Sequence, residues 1–279
     1  MQLTCWGARG TFPVSGPRYI LFGGNTSCLE VAWDDGTEII VDAGTGLRTL
    51  GQKMIKYKQV NKFSLILTHL HWDHIMGFPF YPPFYHFPVT CSIVGHLGAS
   101  SRLKRLLSLY SREIYSPLNQ TRFKTTLNFE DLPEKEWRYG EHLVRYHQHE
   151  HPGGALGLRF MGETADAVFC TDNELGLMAK KKKKYAAMVK FVEGAKILIH
   201  DANYTEQEYR TRAGWGHSTV SQVVKLAREA GVAKVFLTHH DPDRTDDEVR
   251  EMMEYGRSLI PSGSDLECEA LAEGEGLLL

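Results

Sequence analysis

The sequence predicts an α/β fold, on two observations. Short, wholly apolar runs recur and stop abruptly at His or Asp, and amphipathic helical segments fall between them. The runs are EIIVDAG (38–44), FSLILTH (63–69), AVFCTD (167–172), KILIHDA (196–202) and KVFLTHH (234–240). Continuous apolarity without alternation reads as strands buried on both faces. In open α/β sheets, ligands gather beyond the carboxyl ends of the strands. Five strands that end in potential metal ligands or their supports therefore point to one convergent site.

The helical segments follow from spacing and caps. In SRLKRLLSLY (101–110), Leu103, Leu106, Leu107 and Tyr110 recur at i, i+3, i+4 and i+7, which marks a core-facing stripe. A second helix is expected from about Thr219 to Ala230, with Ser218 or Thr219 as N-cap and Gly231 closing it; a third starts near Asp246. Nothing resembling a flexible linker or a solenoid repeat interrupts 1–279, so a single domain is expected. The segment FPFYPPFYHFP (78–88) is barred from regular helix or central strand by its prolines. Its rings wall a substrate pocket, meet a second subunit, or simply pack as a loop. Lys180 to Lys184 read first as a solvated face, with steering of an anionic substrate the lesser alternative.

Composition narrows the class. The 279 residues are 42% apolar and 24% charged with a formal net charge of −2, so no global basicity advertises nucleic acid. The opening MQLTCWGARG lacks a signal-like pattern and no apolar run approaches a membrane span, so a cytoplasmic protein is expected. Five cysteines, widely spaced and without a C-x-x-C pair, fit reduced, buried thiols. The unusual feature is 13 histidines, many of them at the ends of apolar runs.

The densest group is THLHWDH, in which His69, His71, Asp73 and His74 follow directly on a buried strand. One ion could not use all four comfortably. Imidazole nitrogens and carboxylate oxygens suit zinc-like ions in four- or five-coordinate shells, and a loop of this spacing can address two neighbouring ions. A third histidine for the first ion is available at His142, His147, His149 or His151, among which spacing does not choose.

THLHWDH resembles the signature of the metallo-β-lactamase superfamily, a likeness that extends over nearly the whole chain. The resemblance implies an αβ/βα sandwich, two β-sheets face to face with helices outside and metals at one edge. It assigns His69 and His71 to the first ion, and Asp73 and His74 to the second. EHPGGALGLRF (150–160) resembles the family's His-then-glycine turn and selects His151, with His149 as competitor. Asp172 in FCTDNE resembles the bridging aspartate. His239 in LTHHDP resembles the last ligand of the second ion, with His240 competing. The implied cofactor is two divalent metal ions, zinc foremost, with Mn, Fe or Co also compatible with such donors; a homodimer is implied as well.

Two later motifs favour the superfamily's phosphodiesterase branch, which includes RNase Z and cyclic-nucleotide phosphodiesterases. GWGHST (214–219) resembles that branch's histidine motif, and His200-Asp201-Ala202-Asn203 its H-E-A-T motif with Asp for Glu. The N-terminal stretch CWGARGTFPVSGPRYILFGGNTSCLEV and the later VDAGTGLRTLG resemble bacterial cyclic-nucleotide phosphodiesterase-like hydrolases. The reaction so implied is hydrolysis of a small phosphodiester, foremost a cyclic nucleotide, by a metal-activated water that Asp73 orients. His217 then protonates the leaving alkoxide while Asp201 holds its ring; alternatively, His217 merely caps the following helix. Asp42 is expected to support the histidine loop, and Asn25, Thr26 and Ser27 either contact the site or serve a turn. The alternative activities are tRNA 3′ processing and thioester or lactone hydrolysis. The first usually brings a long arm between the third histidine and the bridging aspartate, for which His151 to Asp172 leaves no room. The second has no use for His217.

Overall fold

A computed structural model describes residues 1–57, 62–95, 99–110, 123–133 and 136–279 of the chain. The first half runs β1 (Gln2–Gly7), β2 (Cys28–Ala32), β3 (Glu38–Val41), α1 (Gly46–Tyr57), β4 (Lys62–Leu67), α2 (Trp72–Ile75), α3 (Pro83–His86), β5 (Thr90–Gly95), α4 (Ala99–Tyr110) and β6 (Thr126–Asp131). The second runs β7 (Glu136–Tyr139), β8 (His142–Gln148), β9 (Leu156–Phe160), β10 (Ala167–Cys170), α5 (Leu175–Ala179), α6 (Lys182–Val192) and β11 (Ile197–Asp201). It continues through α7 (Glu206–Arg212), α8 (Val220–Glu229), β12 (Lys234–Thr238), α9 (Asp246–Ser258), β13 (Glu267–Ala270) and β14 (Gly276–Leu278). All five apolar runs singled out in the sequence are strands.

Two seven-stranded sheets result, in the orders β14-β1-β2-β3-β4-β5-β6 and β13-β12-β11-β10-β9-β8-β7. Each has an antiparallel flank and a parallel flank. In the first, β14 through β3 pair antiparallel and β3 through β6 parallel. In the second, β7 through β10 pair antiparallel and β10 through β13 parallel. The halves are thus pseudo-symmetric: β3 corresponds to β10 and β4 to β11. That correspondence places Asp42 and Asp172 just past equivalent strands.

Side-chain alternation shows why the runs, Ser64 apart, are apolar between their ends. Ile39, Val41, Ile66, Phe169, Ile197, Ile199 and Phe236 meet in a core between the two sheets. Their neighbours Val168, Leu198, Val235 and Leu237 point outward and are covered by α5, α6, α8 and α9. On the other side, Ile40, Leu65 and Ile93 are covered by Leu47, Leu50, Met54 and Leu103 of α1 and α4. With both faces of these central strands buried, apolar residues are needed at both parities. The architecture is the four-layer αβ/βα sandwich.

Local chemistry sets the helix ends. Thr219 caps α8 and Thr245 caps α9, each in a reciprocal capping box with Gln222 and Glu248. This settles the N-cap between Ser218 and Thr219. At the other end the C-cap of α8 is Ala230, and Gly231 stands one residue beyond at φ +64°, where left-handed backbone suits glycine. The aromatic segment 78–88 forms a short 3₁₀ turn and α3, and it buries Phe78, Tyr81 and Phe84 against α1 and β4. Phe63 meets Tyr81 at 5.2 Å and Phe84 at 6.1 Å between ring centroids. These rings therefore complete the core outside the first sheet rather than wall the cleft. Within the lysine run, Lys181 and Lys184 pair with Glu150, which precedes His151. All five cysteines are buried and free. Among the described residues, no helix is long and apolar enough to cross a membrane.

Candidate metal centre

The parallel strands of both sheets deliver their carboxyl ends to one edge, and the backbone there is strained to aim side chains inward. Among the described residues, Thr11, Asp42, Asp172 and His239 are the non-glycine residues with positive φ, between 52° and 61°. Asp and His tolerate this left-handed region better than most residues, whereas a β-branched Thr does not. Such strain persists where the surroundings over-determine it, and it gathers at functional sites. All four positions belong to, or directly brace, the histidine–aspartate cluster.

Asp172 faces two groups of donor atoms, and Asp172, His217 and His239 together form a further set close enough to hold an ion. In the first, His69, His71, His151 and Asp172 present ligand atoms within 4.8 Å of one another. Asp172 Oδ1 lies 3.7 Å from His69 Nε2 and 3.6 Å from His151 Nε2, and His151 Nε2 is 3.0 Å from His71 Nδ1. In the second, Asp73, His74 and His239 converge. Here Asp172 Oδ2 lies 3.1 Å from His74 Nε2 and 3.3 Å from His239 Nε2. Asp73 Oδ2 is 3.3 Å and 3.2 Å from the same two atoms. One carboxylate thus faces both groups, an oxygen to each.

The outward nitrogens of His69, His74 and His151 are occupied, which frees the inward ones. Asp42, fully buried, lies 2.7 Å from His74 Nδ1 and accepts from the Thr68 amide and hydroxyl and from the Ser27 hydroxyl. With the Thr68 hydroxyl donating to Asp42, its oxygen takes the Nδ1–H of His69 at 3.2 Å. His151 gives its Nδ1–H to the Gly216 carbonyl at 3.0 Å. Inside the cluster, buried His69 Nε2 and His74 Nε2 have no hydrogen-bond partner. An unpartnered buried nitrogen is costly. Here such atoms sit beside the carboxylates of Asp73 and Asp172, the donor set that a divalent cation satisfies. The residues fit a metal centre.

Next to this cluster stands an imidazole with a different attachment. His217 Nδ1 meets Asp201 Oδ2 at 2.7 Å, and Asp201 is itself pinned by the amides of Asn203 at 3.0 Å and Asn173 at 3.4 Å. The His217 ring stacks on His239 with centroids 4.9 Å apart. Burial works against a charge on His217, but the Asp201 carboxylate outweighs it and holds the imidazole above its usual pKa. A cleft of about 440 Å³ opens over His71, Asp73, His151, Asp172, His217 and His239, with Tyr204, Trp72 and Trp215 on its walls.

The competing histidines lie elsewhere. His149 is buried with Nδ1 on the Thr171 carbonyl, and burial takes its pKa down to about 3. His240 turns away to the Leu271 carbonyl. His147 packs on Phe191 at 5.3 Å, and His142 stacks on Trp33 at 4.4 Å. Asn25 binds Glu273, Thr26 binds Thr45, and Ser27 reaches the site only through Asp42. Two further participants had no signal in the sequence. The Thr11 amide donates to Asp73 Oδ2 at 2.8 Å, which explains its strained backbone. Buried Glu174 binds the amides of Gly214 and Gly216, both at 2.8 Å.

Gly216 has no room for a side chain. Its φ is +97°, and a Cβ would stand 2.1 Å from His151 Nδ1. Gly216→Ala is therefore expected to displace His151 and to lower metal affinity by about 10–100-fold, the usual effect of disturbing a ligand's hydrogen-bond support. Equilibrium dialysis against a metal-sensitive dye measures it; wild-type affinity would show that the loop does not hold His151.

The chain matches the sequence model of the family described as "Beta-lactamase superfamily domain" over residues 37–240. It is 23% identical over 246 residues to the ribonuclease Z of Oceanobacillus iheyensis, which covers 75% of this chain and 80% of that protein. Among solved structures, the metallo-beta-lactamase fold protein YhfI of Bacillus subtilis superposes with a TM-score of 0.70 at 19% identity, over 99% of this chain and 98% of that one. Human tRNase Z, short form, superposes with a TM-score of 0.67 at 15% identity, over 100% and 99% of the two chains. At such identities the structural likeness speaks to the fold.

Proposed function

We propose that this chain, which belongs to the metallo-β-lactamase superfamily and is a metal-dependent hydrolase, cleaves a small phosphodiester, foremost a cyclic nucleotide. The observation that carries the reading is the His217–Asp201 pair, 2.7 Å apart and set in the same cleft as both donor groups. In this proposal His69, His71 and His151 hold one divalent ion, Asp73, His74 and His239 hold the other, and Asp172 serves both. Such ions supply charge stabilisation at the phosphoryl oxygens and lower the pKa of the water that attacks.

The chain's own residues do the rest. Asp73, fixed by the Thr11 amide, would be among the residues that hold the second ion and would orient the attacking water. His217, whose Nδ1–H is committed to Asp201, has Nε2 left to protonate the departing alkoxide. Asp201 keeps that ring in the tautomer and the charge state the transfer needs. His200, by contrast, turns its Nδ1 to the Asp201 carbonyl and its Nε2 to Asn173, and so serves structure.

A cleft of about 440 Å³ is of the size that takes a small ligand. Trp215 and Trp72 line it while 62% and 55% exposed, which offers aromatic faces for a nucleobase. Base stacking on such a face is worth roughly 1–3 kcal/mol. Trp215→Ala is accordingly expected to raise KM for a 3′,5′-cyclic nucleotide about 5–100-fold. A base-free ribose cyclic phosphate would be unaffected; equal effects on both would remove Trp215 from base recognition.

A second reading, tRNA 3′ processing, is favoured by the relatives named ribonuclease Z. Only the short segment between β9 and β10 separates Leu156–Phe160 from Ala167–Cys170, so the span His151 to Asp172 holds no arm for a large RNA. The two readings part on one panel: bis(p-nitrophenyl) phosphate, 3′,5′-cyclic nucleotides and precursor tRNA, each against wild type and His217→Ala. Turnover of the cyclic nucleotides supports the first, and cleavage of the tRNA after the discriminator base supports the second. Inactivity on every phosphodiester together with turnover of thioesters would sink both. Zinc as the ion and a homodimer belong to the same proposal; elemental analysis and light scattering check them.

A further inference from the structure

We infer that Glu174 is a positioning residue that sets His217 and His151 through a single loop. The inference rests on the phosphodiesterase reading only for the role of His217. Glu174 is 1% exposed and lies two residues beyond Asp172. Its Oε1 accepts from the Tyr209 hydroxyl at 2.7 Å and from the Gly214 amide at 2.8 Å, and its Oε2 accepts from the Gly216 amide at 2.8 Å. Hydrogen bonds to an ionised carboxylate are about twice as strong as neutral ones.

Besides Glu174, the loop is tied by the Trp215 amide, which donates to the Arg212 carbonyl at 3.1 Å, and by His151 on the Gly216 carbonyl. Gly214 and Gly216 stand at φ +94° and +97°, and Trp215 between them is 62% exposed. Yet both ends of the chemistry leave from Gly216. Its carbonyl takes the Nδ1–H of His151, which leaves His151 Nε2 aimed at Asp172 Oδ1, 3.6 Å away. Its carbonyl carbon is bonded to the nitrogen of His217. A shift of the Gly216 peptide therefore turns a metal-facing ring and the proton donor together. Glu174 touches neither substrate nor ligand atoms and acts only through this peptide.

Glu174→Gln is the informative variant, because glutamine keeps one acceptor oxygen and sets an N–H₂ against the other donor. It is compared with wild type, His217→Ala and Tyr209→Phe on two phosphodiesters, one with an alkoxide leaving group and one with p-nitrophenolate, which departs without a proton. For Glu174→Gln assayed at saturating metal we expect a loss of about 10–100-fold on the alkoxide ester with a much smaller loss on the p-nitrophenyl ester. We also expect weaker metal retention on dialysis and faster deuterium uptake in the peptide spanning 213–217. Tyr209→Phe, which removes one donor to Glu174 but leaves both backbone bonds in place, is expected to lose less than Glu174→Gln on the alkoxide ester. Where His217→Ala distinguishes the esters, an equal loss on both for Glu174→Gln at saturating metal would overturn the inference, as would unchanged uptake at 213–217, and either would leave Glu174 a stabilising residue only. Should His217→Ala treat the two esters alike, the proton-donor role of His217 fails. Uptake at 213–217 and metal retention then decide for or against Glu174 on their own.

Discussion

His217→Ala is expected to lower kcat about 10²–10⁴-fold on a phosphodiester that releases an alkoxide, the range ordinarily contributed by a positioned general acid. On a p-nitrophenyl ester the loss should be far smaller, since that group leaves as a stable anion. Metal content should not change, because His69, His71 and His151 on one side and Asp73, His74 and His239 on the other complete both donor groups with Asp172 without need of His217. Asp201→Asn should reproduce much of the defect: an amide at 2.7 Å from Nδ1 cannot favour the imidazolium as a carboxylate does. The double variant should be little worse than His217→Ala, as residues that act as a unit are not additive. Steady-state kinetics on the two esters decide the matter. A uniform loss on both would mean that His217 contributes packing against His239 rather than a proton.

What the sequence disclosed depended on how local each feature is. His69, His71, Asp73 and His74 lie on one turn after one strand, so their spacing alone announced two donor groups. Five of the eight strands with a parallel neighbour were legible for a related reason: β3, β4, β10, β11 and β12 are buried on both faces and so are almost entirely apolar between their ends. The flanks of the sheets gave no such signal. β6 and β7 alternate half-buried and exposed residues, and their polar side chains do not distinguish them from loop. The choice of His151 over His149 could not come from spacing, since it depends on whether Thr171 or Gly216 offers the carbonyl to Nδ1. Glu174 was invisible for the same reason: its partners Gly214 and Gly216 lie 40 and 42 positions along the chain. The prolines of 78–88 argued against any regular helix there, yet Pro83–His86 form a short α-helix, and nothing in the prolines foretold that Phe78, Tyr81 and Phe84 fill the core against α1. Pro82 and Pro83 suit the start of a short helix, where a missing N–H costs nothing.

Asp172→Asn tests the shared carboxylate, and its effect should be the largest of any single conservative change. At φ +52° the backbone accepts asparagine as readily as aspartate, so the fold need not adjust. The chemistry does change. Asp172 gives Oδ1 to the side of His69 and His151 and Oδ2 to the side of His74 and His239. Asparagine offers one oxygen, and its N–H₂ would face imidazole nitrogens whose lone pairs a cation requires. One donor group therefore loses its carboxylate whichever way the amide turns, and the remaining charge on Asp73 cannot serve both. Metal content should fall from two ions per chain to one or fewer. Turnover should drop more than about 100-fold, beyond what the loss of a mere supporting hydrogen bond produces. Metal binding also stabilises the folded state, by about 2.7 kcal/mol at a hundredfold excess over Kd. The rise in melting temperature on adding metal should therefore be large for wild type and shrink for the variant. Elemental analysis, kinetics and thermal melting give three separate readings. Full occupancy with wild-type turnover in Asp172→Asn would mean that the two donor groups work independently of the residue they share.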